Sequence, residues 1–157
     1  MFRLSTPYPE EGSLAPDFTL NSEKGSAINL HSLKGKNIVL FFYPKDDTPG
    51  CTKEACSFRD NFDKFQTNNT IILGVSLDDD VSHKKFIDKY DLPFELLCDT
   101  EASVSKLYGV YQKKNLYGNI SWGIVRTTII IDENSRIKKV FPRVKVDNHT
   151  EEVLQEL

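Results

Sequence analysis

Two short stretches are apolar almost throughout: Ile38-Val39-Leu40-Phe41-Phe42-Tyr43, entered after Gly35 and stopped by Pro44, and Thr70-Ile71-Ile72-Leu73-Gly74-Val75-Ser76-Leu77. Six to eight residues is a strand's length, and a strand without polar alternation must be covered on both faces. A chain with two such strands needs a central sheet with helices packed against it. The segments around them supply those helices. Residues 49–66 and 80–90 carry helical patterns, residues 101–108 read as a short helix and residues 147–157 as a closing one. Residues 94–98 read as a short strand. Residues 14–20 and 27–30 suggest a small hairpin split by a turn at 21–26, after a polar lead-in over residues 1–12. Residues 126–131 and 136–141 flank the turn Asp132-Glu133-Asn134-Ser135 and read as a second hairpin. Strands alternating with helices imply a three-layer α/β domain with parallel central strands, spanning residues 1–157 as one unit.

The chain can support such a core. Leu, Ile, Val and Phe supply 46 of the 157 residues, well above the fraction usual for disordered chains. A net charge of −3, from 20 basic and 23 acidic residues, argues against a nucleic-acid surface. The longest apolar run falls far short of the roughly 20 residues that span a bilayer. The opening Met-Phe-Arg-Leu-Ser-Thr-Pro-Tyr-Pro-Glu-Glu-Gly lacks the apolar core of a secretory signal and is too acidic for a transit peptide. The expectation is a small cytoplasmic protein with neither membrane nor nucleic acid as partner. Three cysteines are an odd number and close no disulfide framework. Their presence needs a chemical or packing reason.

The most informative stretch runs from Phe41 to Cys56. A buried strand ends at Pro44, and a polar loop leads into a helix. Thr48 suits the N-cap and Pro49 the first helical position. Cys51 then falls in the first turn, at the position whose N–H the Thr48 hydroxyl would satisfy. There the positive end of the helix dipole and unpaired N–H groups favour thiolate over thiol. Loops beyond the carboxyl ends of strands are also where α/β sheets carry their sites.

Cys51, Ala55, Phe58, Phe62 and Phe65 recur at intervals of four and three, forming one face of a helix. Cys51 points inward, and Cys56 lies at the edge of that face. On a regular helix, α-carbons five residues apart are about 8.7 Å distant, whereas a disulfide wants roughly 4.4–6.8 Å. The two thiols bond only if the first turns unwind, which makes the pair a candidate switch. Free cysteines more often serve as small core hydrophobes, but the Thr48-Pro49-Gly50 entry argues against that here. A zinc site passes on spacing and fails on partners: only Cys98, His31, His83 and His149 remain to complete four ligands. The C-x-x-C of dithiol oxidoreductases is absent.

Residues 42–60, Phe-Tyr-Pro-Lys-Asp-Asp-Thr-Pro-Gly-Cys-Thr-Lys-Glu-Ala-Cys-Ser-Phe-Arg-Asp, closely resemble the active-site segment of peroxiredoxins, in particular the bacterioferritin comigratory protein or PrxQ subfamily. The pattern Pro-x-x-x-Thr-x-x-Cys falls on Pro44, Thr48 and Cys51, and the subfamily's second cysteine on Cys56. Gly12 to Leu20 resembles the N-terminal segment. Tyr117-Gly118, Gly123-Ile124 and Arg126-Thr127-Thr128 resemble a later landmark, so the likeness covers nearly the whole chain. It implies a thioredoxin-like fold with an N-terminal extension, its central mixed sheet flanked by helices. It also implies thiol-dependent reduction of hydroperoxides without metal or prosthetic group, recycled by thioredoxin or a similar dithiol, in a monomer. By the same resemblance Cys51 is the peroxidatic cysteine, Cys56 the resolving one, Pro44 shields the pocket, Thr48 hydrogen-bonds substrate oxygen and Arg126 polarises the site. Sulfenic acid at Cys51 would condense with Cys56 to a disulfide. A non-catalytic redox sensor, switched by the same bond, is the competing reading.

Three features lie outside that pattern. Cys98 fills core space at a strand end. Trp122 is expected to pack near the pocket without a catalytic part. Asp78-Asp79-Asp80 follows a strand and precedes a helix, so a solvated loop and N-cap is preferred to a metal site.

Overall fold

The computed structural model describes residues 7–157, with Leu116 described by its backbone alone. Residues 1–6, half of the polar lead-in, lie outside the described residues. Among the described residues, nine strands and five α-helices follow in order, with a 3-10 turn at His31–Leu33 between the second and third strands: β1 (Thr19–Ser22), β2 (Ala27–Asn29), β3 (Asn37–Phe42), α1 (Pro49–Asp60), α2 (Phe62–Thr67), β4 (Thr70–Ser76), α3 (Asp80–Tyr90), β5 (Glu95–Cys98), α4 (Ser103–Leu107), β6 (Tyr111–Leu116), β7 (Asn119–Ile124), β8 (Thr127–Ile131), β9 (Ile137–Phe141) and α5 (His149–Gln155). Seven strands form one sheet in the order β2-β1-β5-β4-β3-β8-β9. Its centre, β3, β4 and β5, is parallel, while β1, β8 and β9 run antiparallel to their neighbours. The sheet is mixed, as expected, and its parallel centre is where the two apolar runs sit.

Burial on both faces explains those runs. Ile38, Leu40 and Phe42 pack into one apolar cluster with Leu73, Val75, Tyr108 and Ile129. Val39, Phe41 and Tyr43 face the other way, into a cluster with Cys51, Ala55, Phe58, Phe65, Phe86 and Phe94. The two-residue period of a strand thus feeds two cores from one segment. Each such large side chain contributes about 1.5–3 kcal/mol on burial. Phe41 is the hub of the second cluster, with ring centroids 4.9 Å from Phe58, 5.4 Å from Tyr43 and 5.6 Å from Phe94. Gly74 leaves room for it: a Cβ there would lie 2.8 Å from the Phe41 ring and 2.7 Å from Leu96.

Three segments depart from expectation. The single helix predicted over 49–66 is two, divided at Asn61, whose backbone (φ −110°, ψ 12°) leaves the helical region. The Asn61 side chain donates to the Ser57 carbonyl at 2.9 Å, a local alternative to the next helical hydrogen bond. The residues after 108, left unassigned by their pattern, form the β6–β7 hairpin, a two-stranded sheet of its own. Tyr117 and Gly118 both adopt positive φ at its tip, as a tight primed turn requires. The N-terminal strand also begins later than expected, at Thr19, with Leu14 making only an isolated bridge to Arg136.

Candidate active site

Thr48 caps α1 in extended conformation, with Pro49 in the first turn and Cys51 buried at the third helical position. The cap works differently from the sequence expectation. The Thr48 hydroxyl makes no bond to the helix; it donates to the Lys45 carbonyl at 3.0 Å. That bond closes the loop on itself and leaves the hydroxyl's lone pairs unclaimed. Pro44 is half-buried at the start of the loop, two residues beyond the end of β3.

Arg126 arrives from the opposite side of the sheet edge. Strand β8 pairs antiparallel with β3 in a register that sets Thr127 opposite Phe42. Arg126, one residue earlier, is therefore delivered to the level where β3 ends and the loop begins. Its Nη2 donates to Cys51 Sγ at 3.3 Å and its Nη1 to Glu54 Oε1 at 2.7 Å. Gly50 makes space for this arrangement, since a Cβ there would meet Arg126 Nη2 at 3.1 Å. One guanidinium thus spans two residues of one helix face, Cys51 and Glu54.

Glu54 is buried, and its Oε2 has no hydrogen-bond partner among the described residues. Burial drives its carboxyl up to about 7, against the pull of Arg126. Arg126 keeps its charge: burial opposes it, but Glu54 and Cys51 more than compensate and raise its pKa. A second cation approaches from the β6–β7 hairpin. The half-buried Lys114 lies over Gly123. Burial and the nearness of Arg126 lower the Lys114 pKa, with Cys51 pulling the other way. The Cys51 sulfur is therefore buried beneath the Arg126 guanidinium. Such donors stabilise both a thiolate and negative charge developing on an atom under attack.

Cys56 is half-buried on the following turn of α1, and all three cysteines are free thiols. Cys98 is half-buried at the end of β5, where burial and then the carboxylates of Asp80 and Glu23 push its thiol up to about 11. That makes it a poor nucleophile, in keeping with a packing role. Trp122 stacks on Tyr111 at 5.8 Å and is 42% exposed. Asp79 caps α3, accepting from the Ser82 N–H at 2.9 Å, so this acidic run ends in the cap its position implied.

Glu54 and Gly50 escaped the sequence reading. A signal for Glu54 was present: it lies three residues after Cys51, so a helix brings it to the same buried face. A carboxylate there calls for a buried cation.

The AhpC/TSA family model matches residues 12–140. A putative peroxiredoxin Bcp of Coxiella burnetii is 49% identical over 148 residues, covering 94% of this chain and 98% of the relative. Peroxiredoxin Bcp of Bacillus subtilis is 45% identical, covering 94% of each chain. Among solved structures, a cysteine-to-serine mutant of Xylella fastidiosa PrxQ superposes with a TM-score of 0.89 at 33% identity over 95% of both chains. The bacterioferritin comigratory protein of Xanthomonas campestris, studied for its alkyl peroxide reduction activity, gives 0.84 at 33% identity over 88% of both.

Proposed function

Since the chain belongs to the AhpC/TSA family, as a Bcp/PrxQ peroxiredoxin of thioredoxin-like fold, we propose that its thiol peroxidase activity runs through Cys51 as nucleophile and Cys56 as resolving thiol. The Cys51 thiolate attacks the terminal oxygen of a hydroperoxide. The S–O bond forms as the O–O bond breaks, and the leaving alkoxide or hydroxide takes a proton from water. Cys51 is then a sulfenic acid, two electrons oxidised. The Cys56 thiolate displaces its hydroxyl, releasing water with one proton and forming the disulfide. A dithiol protein, thioredoxin or one like it, returns two electrons by exchange and restores both thiols.

The observation that carries this reading is the 3.3 Å contact from Arg126 Nη2 to Cys51 Sγ. Only a group fixed at that range stabilises thiolate and leaving oxygen alike without rearranging. Thr48 supplies a hydroxyl with free lone pairs to a bound peroxide, and Pro44 covers the pocket mouth. We assign these parts to one domain over residues 1–157, acting as a cytoplasmic monomer without metal or prosthetic group. Among the described residues no helix is long and apolar enough to cross a membrane.

A steady-state assay with thioredoxin, thioredoxin reductase and hydrogen or organic peroxides tests the proposal. Cys51→Ser should abolish turnover. Cys56→Ser should still form sulfenic acid but lose thioredoxin-supported cycling. Consumption of a single equivalent of peroxide by the wild-type protein would favour a sensor. Activity retained by Cys51→Ser would overturn the assignment.

A further inference from the structure

Midway along the loop from Pro44 to Thr48, Asp46 turns inward and is buried. Its carboxylate is held from three sides. Oδ1 accepts from the Tyr43 hydroxyl at 2.5 Å, and Oδ2 from the Ser82 hydroxyl at 2.8 Å and from His83 Nδ1 at 2.7 Å. Its backbone N–H donates to Asp78 Oδ2 at 2.8 Å, an oxygen that also accepts from the Ser76 hydroxyl at 2.6 Å. His83 is fully buried on α3, and its Nε2 lies 2.9 Å from the Leu97 carbonyl on β5. Burial opposes a charge on His83, but its contacts to the acceptors Asp46 Oδ2 and the Leu97 carbonyl more than offset this and raise its pKa.

Asp46 thus ties the loop directly to α3 and to the residues just beyond β3 and β4, and through His83 to Leu97 of β5. Asp46, Asp78 and His83 also offer ligand atoms within 4.8 Å of one another. Both imidazole nitrogens, both Asp46 oxygens and Asp78 Oδ2 are, however, already committed to the hydrogen bonds above. A structural core would not need this. Burying an ion pair costs desolvation that apolar residues of similar size avoid, and it adds little to stability. It does specify one geometry, and the geometry specified here is that of the loop holding Pro44 and Thr48.

We propose that the buried Asp46–His83 pair, with Tyr43, is a positioning device for the peroxide step, fixing the Thr48 hydroxyl and the Pro44 wall relative to Cys51. The inference rests on the reading of Cys51 as peroxidatic, and it concerns how substrate is held there. None of these three residues hydrogen-bonds Cys51, Thr48 or Arg126. The thiolate itself is governed by Arg126 and the α1 terminus, which the pair does not contact. Loosening the loop should therefore slow attack on a peroxide, which must be aligned, and spare alkylation of the same sulfur, which needs no such alignment.

The test compares two second-order rate constants on each protein, for hydrogen peroxide and for iodoacetamide, with thermal melting alongside. In Tyr43→Phe and His83→Gln the peroxide constant should fall by about tenfold to a hundredfold, the loss expected from misplacing reacting groups by an ångström or so. The iodoacetamide constant should stay within about twofold of wild type. Tyr43→Phe keeps the ring packed on Phe41 and Phe86 and serves where His83→Gln does not fold; Ser82→Ala removes the remaining donor to Asp46. A parallel fall of both constants, or an unchanged peroxide constant in a folded variant, would overturn the proposal. Loss of peroxide reactivity in Cys51→Ser is the separate control. Its failure would strike the assignment of Cys51 and not the role of the clamp.

Discussion

The guanidinium of Arg126 lies over the bare α-carbon of Gly50, so close that a methyl group there would stand 3.1 Å from Nη2. The contact links a residue of the helix's first turn to one that enters from β8. Gly50 does not adopt a positive φ, so space and not backbone freedom is the reason for glycine.

Gly50→Ala should therefore displace the guanidinium by a few tenths of an ångström while favouring the helix itself, since alanine is the better helix former by up to about 1 kcal/mol. The expected result is a protein at least as stable to heat whose peroxide rate constant is several-fold lower. Stopped-flow kinetics and a melting curve on the same sample check it; equal loss of both would place Gly50 in the fold alone.

Arg126→Ala should remove the Nη2 donor that lies 3.3 Å from Cys51 Sγ. The peroxide step should slow by about a hundredfold or more, the usual cost of losing a fixed oxyanion donor. Stopped-flow peroxide kinetics on the folded variant read this loss. Arg126→Lys should recover little, since one ammonium cannot bridge Cys51 and Glu54 as a forked guanidinium does.

Glu54 is raised from an ordinary 4.5 to about 7 by burial. Between those values the folded protein binds more protons at this site than the unfolded chain. Its stability is thus lost as pH rises through that window, by about 3 kcal/mol at most. Glu54→Gln should remove this slope. Urea unfolding from pH 4 to 8 is the measurement.

His149 has the opposite sign. Burial, then the charge of Arg126, lower it from 6.5 to about 4. Its ring is buried against Phe58 and Phe141 and hydrogen-bonds Thr128 Oγ1 at 2.8 Å, with Glu152 as the nearest acid at 3.8 Å. The unfolded chain takes up a proton first, so this contribution is lost as pH falls from about 6.5 towards 4. The two slopes oppose each other in wild type. His149→Gln should expose the Glu54 slope, and Glu54→Gln the His149 one, in the same urea series.

Oxidation should loosen α1. An intact helix keeps the α-carbons of Cys51 and Cys56 about 8.7 Å apart, so a bond between them removes several backbone hydrogen bonds, each worth about 0.5–1.5 kcal/mol. Amides of residues 51–58 should exchange faster after peroxide treatment, with β3 and β4 still protected. Unchanged exchange alongside a mass-confirmed disulfide would refute the unwinding.

What the sequence disclosed follows from where pattern and burial coincide. Residues 37–43 and 70–77 were legible as central strands because both faces are buried and, past the opening Asn37 and Thr70, only Ser76 breaks the apolar run. Helix 80–90 was legible at both ends because Asp79 caps it and its apolar face is regular. The β6–β7 hairpin was not, because it stands outside the main sheet. Tyr117 at its tip is 95% exposed, and its strands mix lysines with aromatics in no clean period. Cys51 announced itself through Pro49 and the loop before it. Glu54 did not, because a carboxylate is ordinarily solvated and only the arrival of Arg126 from a distant strand accounts for its burial. Asn61 looked like one polar residue in a helical run, yet its amide ends α1.

That break at Asn61 also decides how far a chemical event at Cys51 can travel. Phe65 is keyed into the core by α2, a separately seated piece, so strain from pulling Cys56 towards Cys51 meets a joint before it reaches that anchor. The protein works like a cable spliced behind its moving end: the first two turns slacken and the rest holds its tension. Recovery is then as local as the damage. Helix regrowth from a standing end takes on the order of nanoseconds per residue, so, with the proposed Cys51–Cys56 bond, rewinding a stretch this short would keep pace with any thiol exchange that reduces it.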